Sequence, residues 1–297
     1  MKIIKYRKIF YIFSGALVLT SIVGLVLWQL NFGIDFTGGT IMEVNFLNQR
    51  PDNNYIREQL KNVDIGNIVL QPTGNQGLIL RFKNIDEIVH QQILKQLAGD
   101  KPVAQTMEEI RFDSIGPAIG QELKTKTYWA IGLSLISILI YIAWAFRKVS
   151  RPVASWNYGI AAIIALFHDV LITLGVFAFL GHFFNIEVDL AFVAAILTIL
   201  GYSINDTIVV FDRIRENLKY SSWDNFEATL DLSVNQTMAR SVGTTLTTLF
   251  PLFTIFLVGG ATLHWFALAL IIGITLGAYS SIFQATPFLL WWVKKRK

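Results

Sequence analysis

The chain has no cysteine, which excludes disulfide scaffolds, zinc ribbons, Cys-ligated iron–sulfur clusters and thiol nucleophiles. Only four histidines are present, so no resident metal site is expected. Charge is scarce: Asp, Glu, Lys and Arg make up 15% of the residues, where a soluble globular protein carries about a quarter. No G-x-x-x-x-G-K-[ST] loop is present to cradle nucleotide phosphates, and neither a G-x-S-x-G elbow nor an H-E-x-x-H helix occurs. No repeat of fixed period, low-complexity tract or flexible linker interrupts the chain. The basic residues sit beside apolar runs rather than in a patch of their own, so nothing points to nucleic acid. These absences predict no cofactor and no enzyme chemistry.

Hydrophobic residues are abundant, at 53% of the 297, and they gather into six long runs. The first, Ile9–Leu30, would reach about 33 Å as a helix, enough to cross the hydrocarbon of a bilayer. Lys2, Lys5, Arg7 and Lys8 precede it as in a signal peptide. The run is too long for a signal core and has no A-x-A exit, which predicts a retained anchor. The other five spans are expected at Tyr128–Phe146, Tyr158–Leu180, Val188–Phe211, Val242–Val258 and Trp265–Leu290. The chain thus divides into an N-terminal segment and first span (1–30), a polar domain (31–127) and a five-helix membrane domain (128–297).

Orientation follows from lysine and arginine beside the spans. Six spans put both termini on one side. That side receives Lys2, Lys5, Arg7, Lys8, Arg147, Lys148, Arg151, Arg213, Arg215, Lys219, Arg240 and the run Lys294, Lys295, Arg296, Lys297. The short loops of the other side, 181–187 and 259–263, carry none. The termini are therefore expected in the cytoplasm and the polar domain outside it. Trp28, Trp129, Trp265, Trp291 and Trp292 near span ends fit interfacial anchors.

The polar stretch 31–127 holds ten basic and twelve acidic residues, leaving the rest of the chain at +6. Alternation predicts strands at Thr40–Phe46, Asn67–Gln71, Leu78–Phe82 and Thr106–Ser114, and helical spacing predicts helices at Asn53–Val63 and Ile85–Ala98. Pro72, Gly74 and Asn75 fall in the expected turn between the second and third strands. The order β-α-β-β-α-β predicts an α+β ferredoxin-like domain between the first two membrane helices. Short connections at both ends would pass motion of those helices to it. Gly38-Gly39 reads as a tight chain reversal.

Ionisable residues inside the spans carry the functional signal, because they are costly in lipid and usually serve a purpose there. Asp169 lies midway along the third span. Asp206 lies in the fourth, where Tyr202 shares its face, Ser203 pairs with Thr207 at the same spacing, and Asn205 is adjacent. Arg240 opens the fifth span, and Thr244 and Thr248 extend it as a polar stripe. A facing Asp206–Arg240 pair would make protonation sensitive to small movements, since a cation favours the charged acid and desolvation the neutral one. A static pair that only fixes helix register is the alternative reading. His168-Asp169 is similar to the metal dyad of some phosphohydrolases, but adjacent helical residues point about 100° apart and the further histidines such a site needs are missing.

Several segments resemble a known family. Phe32-Gly33-Ile34-Asp35-Phe36-Thr37-Gly38-Gly39-Thr40 and Ser114-Ile115-Gly116-Pro117-Ala118-Ile119-Gly120-Gln121-Glu122-Leu123 are similar to signatures of the SecD/SecF family of bacterial protein-translocase subunits, on its SecF side. So are His168-Asp169, the stretch 201–217 reading GYSINDTIVVFDRIREN, and Arg240-Ser241 with the threonines after it. The resemblance implies one six-helix half of an RND-like assembly in the cell inner membrane. Its implied partners are SecD as a heterodimer, the SecYEG channel, YajC as a further candidate, the translocating polypeptide and membrane lipid. It also implies that Asp206 and Arg240, with Asp169, couple the proton-motive force to late export, and that the extracytoplasmic domain handles the emerging chain. An RND-type small-molecule exporter and an uncoupled scaffold of the translocase are the competing readings.

Overall fold

In the computed structural model, residues 2–99, 101–147, 153–220 and 225–294 are described. Lys148, Arg151, Lys295, Arg296 and Lys297, counted above for orientation, lie outside the described residues. Among those residues, six helices are long and apolar enough to cross a membrane. Two compact units result: Met1–Asn31 with Trp129–Lys297, and Phe32–Tyr128.

In the first unit a short 3₁₀ turn leads into α1 (Arg7–Trp28). The later part of α6 (Pro117–Ala145), then α7 (Ser155–Phe184), α8 (Leu190–Asn217) and α9 (Phe226–Val258) follow. The last span is α10 (Ala261–Ser280), a π-helical segment over Ser281–Ala285, and α11 (Thr286–Lys294). Buried side chains concentrate on α7, α8 and the last span, while α1 and α6 turn large apolar residues such as Ile12, Leu27, Leu133 and Ile140 outward. That distribution suits inner and outer helices in lipid.

Two departures from the sequence pattern have clear causes. The fifth helix begins sixteen residues before the apolar run expected at Val242. Its early turns are amphipathic: Phe226, Leu230 and Val234 pack with Val210, Phe211 and Ile214 of α8. Polar bonds reinforce the seam, Asn217 Nδ2 donating to Ser233 Oγ at 2.9 Å and Arg213 Nε to Gln236 Oε1 at 2.8 Å. A hydropathy run cannot register a helix that is apolar on one face only. The second departure is the π segment. Pro287 has no N–H for the Phe283 carbonyl, and its ring crowds that carbonyl. The backbone widens there, and the Thr286 hydroxyl donates to the Ser281 carbonyl at 2.9 Å.

The second unit has α2 (Ile34–Thr37), β1 (Gly39–Phe46), α3 (Asn53–Gln59), β2 (Val69–Thr73), β3 (Gly77–Phe82), α4 (Glu87–Ala98), α5 (Val103–Thr106) and β4 (Met107–Ile115). The sheet order is β2-β3-β1-β4 with every neighbour antiparallel, the ferredoxin-like arrangement expected from the element order. Met42, Val44, Leu78, Leu80 and Ile93 form its core. β2 runs through Pro72, which had been expected in the turn. On an edge strand the missing N–H faces outward and costs no ladder bond. α3 ends at Gln59, four residues before the expected Val63, and the Val63 N–H closes a tighter turn onto the Leu60 carbonyl. α2 and α5, single turns of four residues, had no signal in the sequence pattern.

At the start of the domain, Gly38 adopts φ +72°, and a Cβ there would lie 2.8 Å from the Pro117 Cα. A Cβ on Gly120 would lie 3.0 Å from the Gly38 nitrogen. The two glycine-rich segments therefore interlock within this unit, backbone against backbone, with Thr40 and Ser114 hydroxyls 2.7 Å apart beside them. Asp35 sits in the first turn of α2, Gly39 begins β1, and Gly116 lies between β4 and α6.

α4 is capped by Asp86, which accepts from the Val89 N–H at 3.0 Å. The next residue, Glu87, accepts from Gln91 Nε2 at 2.6 Å and faces His90 Nδ1 at 3.2 Å. His90 stacks on Phe112 and meets Glu109 Oε1 with its Nε2 at 2.8 Å, pinning α4 to β4. The Gln91 hydrogen bond, then that of His90, holds the Glu87 carboxyl below its usual range. A lowered folded value contributes stability above the unfolded titration range and loses it as the pH falls through the folded one. Glu87→Gln should therefore lower the melting temperature of the intact protein at pH ~7 and leave it unchanged at pH ~2. Thermal unfolding of both proteins at the two pH values checks this.

Candidate functional site

The polar residues of the spans sort into two groups on adjoining faces of α8, about 100° apart. On one side, Asp169 of α7 is 0% exposed. Its Oδ2 accepts from Ser203 Oγ at 2.7 Å and from Ser280 Oγ at 2.8 Å, while its Oδ1 lies 2.9 Å from His168 Nδ1. One carboxylate thus joins α7, α8 and the end of α10. Thr207, one turn beyond Ser203, meets Ser281 Oγ at 2.8 Å. Among the described residues no lysine or arginine pairs with Asp169.

The small size of Gly277 permits this convergence. A Cβ there would approach Ser203 Cβ to 2.8 Å and its Cα to 3.0 Å. α8 and α10 meet backbone to backbone at that point, which brings Ser203 and Ser280 within reach of the same oxygen.

On the other side, Tyr202 OH donates to the Thr244 carbonyl at 2.8 Å and lies 2.9 Å from Thr248 Oγ1. Those threonine hydroxyls also bond back along their own helix, Thr244 Oγ1 to the Arg240 carbonyl and Thr248 Oγ1 to the Thr244 carbonyl, each at 3.0 Å. Tyr202 thus meets α9 at Thr244 and Thr248, and Arg213 meets it at Gln236, so the helices run antiparallel. Asp206, one turn beyond Tyr202, is therefore level with Arg240 and Ser241. Asp206 is 3% exposed and its Oδ2 has no protein partner. Asp206 and Arg240 form no ion pair among the described residues, and Arg240 is exposed. Asn205 points outward.

The structure therefore joins Asp169, His168, Ser203 and Thr207 in one network and Tyr202, Thr244 and Thr248 in another. It leaves Asp206 and Arg240 near but unjoined. His168 and Asp169, expected to point apart, meet through His168 Nδ1 and Asp169 Oδ1, 2.9 Å apart. Among the described residues no group of three His, Cys, Asp or Glu could hold a metal ion. Sequence reasoning missed Ser280, Ser281 and Gln284, buried on the last span; it named Ser241 and the threonines after it only through the family resemblance and gave no place in the polar path to Ser241 and Thr245, buried on α9 with hydroxyls lacking a protein partner. Serine–serine followed by glutamine just before Pro287 was a readable signal inside an otherwise apolar run. Ser241 and Thr245 share the four-residue spacing of the Arg240 stripe, displaced by one position.

The described chain can be set against known proteins. The family model "Protein export membrane protein SecD/SecF, C-terminal" matches residues 95–295, and "SecD/SecF GG Motif" matches residues 29–46. A protein translocase subunit SecF of Thermobaculum terrenum is 40% identical over 309 residues, covering 99% of this chain and 94% of that protein. One from Vibrio alginolyticus is 40% identical over 290 residues, covering 96% and 88%. The crystal structure of SecDF, a translocon-associated membrane protein from Thermus thermophilus, superposes with a TM-score of 0.83 at 30% identity. That match covers 99% of this chain but 38% of the SecDF chain. SecDF in its super-membrane-facing form gives 0.69, also at 30% identity, covering 100% of this chain and 39% of that one.

Gly277→Val should force α8 and α10 apart, costing about 1–3 kcal/mol as an overpacked core substitution does. A lower unfolding temperature in detergent, together with loss of the Ser280–Asp169 contact in a structure of the variant, would show it.

Proposed function

Because the chain belongs to the SecD/SecF family of protein-export membrane proteins, we propose that it is an accessory subunit of the Sec protein translocase that couples the proton-motive force to export. Its partner is SecD, the two forming a heterodimer beside the SecYEG channel, with YajC as a further associate. The termini face the cytoplasm and the ferredoxin-like domain faces the outside of the cytoplasmic membrane. That orientation rests on the basic residues flanking the spans and on their absence from the short loops of the opposite side.

Asp206 is the titrating group and Arg240 its charge partner. The observation that carries this reading is the state of the Asp206 side chain: buried among spanning helices, one oxygen unpartnered, and level with an arginine it does not bind. A group meant only to fix helix register would be locked into its pair; this one is free to exchange a proton. Ser241 and Thr245, with buried unpartnered hydroxyls on the facing helix, and Tyr202, Thr244 and Thr248 beyond them extend a polar path along the α8–α9 seam. Asp169, Ser203 and Thr207 line the inner side of α8.

The energetics suffice. One charge crossing a potential of about 100 mV releases about 2.3 kcal/mol, against about 1–3 kcal/mol for typical coupling between two sites. A few protons per cycle can therefore bias a two-state movement, whose output is the extracytoplasmic domain acting on the emerging polypeptide.

Asp206→Asn should abolish the gradient-dependent stimulation of export in membrane vesicles while leaving co-purification with the SecD subunit intact. Export equal to wild type would refute the role of Asp206. Loss of co-purification, with no further effect of collapsing the gradient, would instead favour a scaffold.

A further inference from the structure

The hydrogen-bond inventory of the Asp169 network leaves one atom unexplained. His168 is 4% exposed, and its Nε2 is buried with no protein partner. Its Nδ1 points at Asp169 Oδ1, 2.9 Å away. The other carboxylate oxygen already accepts from the Ser203 and Ser280 hydroxyls. An ionised carboxylate only accepts, so the hydrogen between the two side chains belongs to Nδ1. A neutral imidazole carries one N–H, and Nε2 is then a bare lone pair inside the helical unit.

The groups around the ring are few. Asp169 adjoins it on α7. From α10, Tyr279 stacks against it at 6.2 Å, its hydroxyl taken up by Ser14 Oγ at 3.0 Å and the Phe10 carbonyl at 3.3 Å. From α8 comes Ser203, which donates to the same carboxylate. None of these is a cation, so the one basic neighbour available to an ionised Asp169 is His168. Burying an uncompensated carboxylate in lipid-spanning helices is expensive. A proton on His168 cancels that charge without disturbing any bond to Asp169, because the bonds all use other atoms.

We propose that His168 Nε2 is the proton-accepting atom of the third span, and that Asp169 is a positioning residue that holds the ring and balances its charge. The proton adds to the Nε2 lone pair, giving an imidazolium–carboxylate pair of zero net charge, and its departure restores the neutral ring beside the anion. The π segment that begins at Ser281, beside Ser280, places a irregular stretch of backbone next to the dyad, where a change of charge can be felt by the last span. Insofar as the dyad takes part in export, the inference rests on the coupling function proposed above; proton acceptance itself does not.

The direct test is nitrogen NMR of the intact protein, histidine-labelled and reconstituted in lipid, with the His168 signal identified by its loss in His168→Asn. The expected result is a neutral ring protonated at Nδ1 that gains a second proton, at Nε2, as the sample is acidified. A ring that never changes protonation, or a neutral form protonated at Nε2, overturns the proposal. In vesicles, His168→Asn, whose amide keeps a donor toward Asp169 but offers no base, should lose gradient-dependent stimulation of export while still co-purifying with SecD. Wild-type export by His168→Asn alongside a defective Asp206→Asn overturns the role of His168 in coupling. Wild-type export by both variants, with His168 still titrating, overturns the coupling function and leaves proton acceptance standing.

Discussion

A single buried carboxylate organises the helical unit. Asp169 draws a hydroxyl from α8, a hydroxyl from the end of α10 and the imidazole of its own helix onto two oxygens. Apolar helices in lipid have little hydrophobic reason to choose one another, so close packing and polar bonds decide which faces meet. Here the two operate together. Gly277 lets the backbones of α8 and α10 approach, and the approach puts Ser203 and Ser280 on one oxygen.

The two sides of α8 differ in how fully their polar atoms are used. On the inner side every oxygen of Asp169 has donors, and Thr207 is tied to Ser281. On the outer side the Asp206 oxygen and the Ser241 and Thr245 hydroxyls lack protein partners. Satisfied oxygens hold a conformation, whereas an unpartnered atom, Asp206 Oδ2 on one side or His168 Nε2 on the other, leaves room for a proton to come and go. One helix bearing both is suited to linking protonation on one face to packing on the other. The family to which the chain belongs works in protein export.

Much of the fold was legible from residue pattern. The six apolar runs and the β-α-β-β-α-β order follow from periodicity, because burial is imposed locally by lipid or by one sheet face. The misses share a cause. The start of α9 at Phe226, the passage of β2 through Pro72 and the π segment before Pro287 all depend on what a residue meets across the fold. Phe226 finds α8; Pro72 finds an open edge; the turn widened before Pro287 is bridged by the Thr286 hydroxyl donating to the Ser281 carbonyl.

The same division holds for the site. Composition and spacing alone singled out Asp169, Asp206 and Arg240, since a charge in an apolar run stands out wherever it finally points. Only the tertiary structure decided which of them touch. It joined Asp169 to Ser203 and Ser280, residues 34 and 111 positions away in the chain. It kept Asp206 apart from Arg240 and left His168 with a bare nitrogen. A one-dimensional pattern records which residues are costly in lipid, but hydrogen-bond partners are set by distances between helices, and those exist only once the helices have packed.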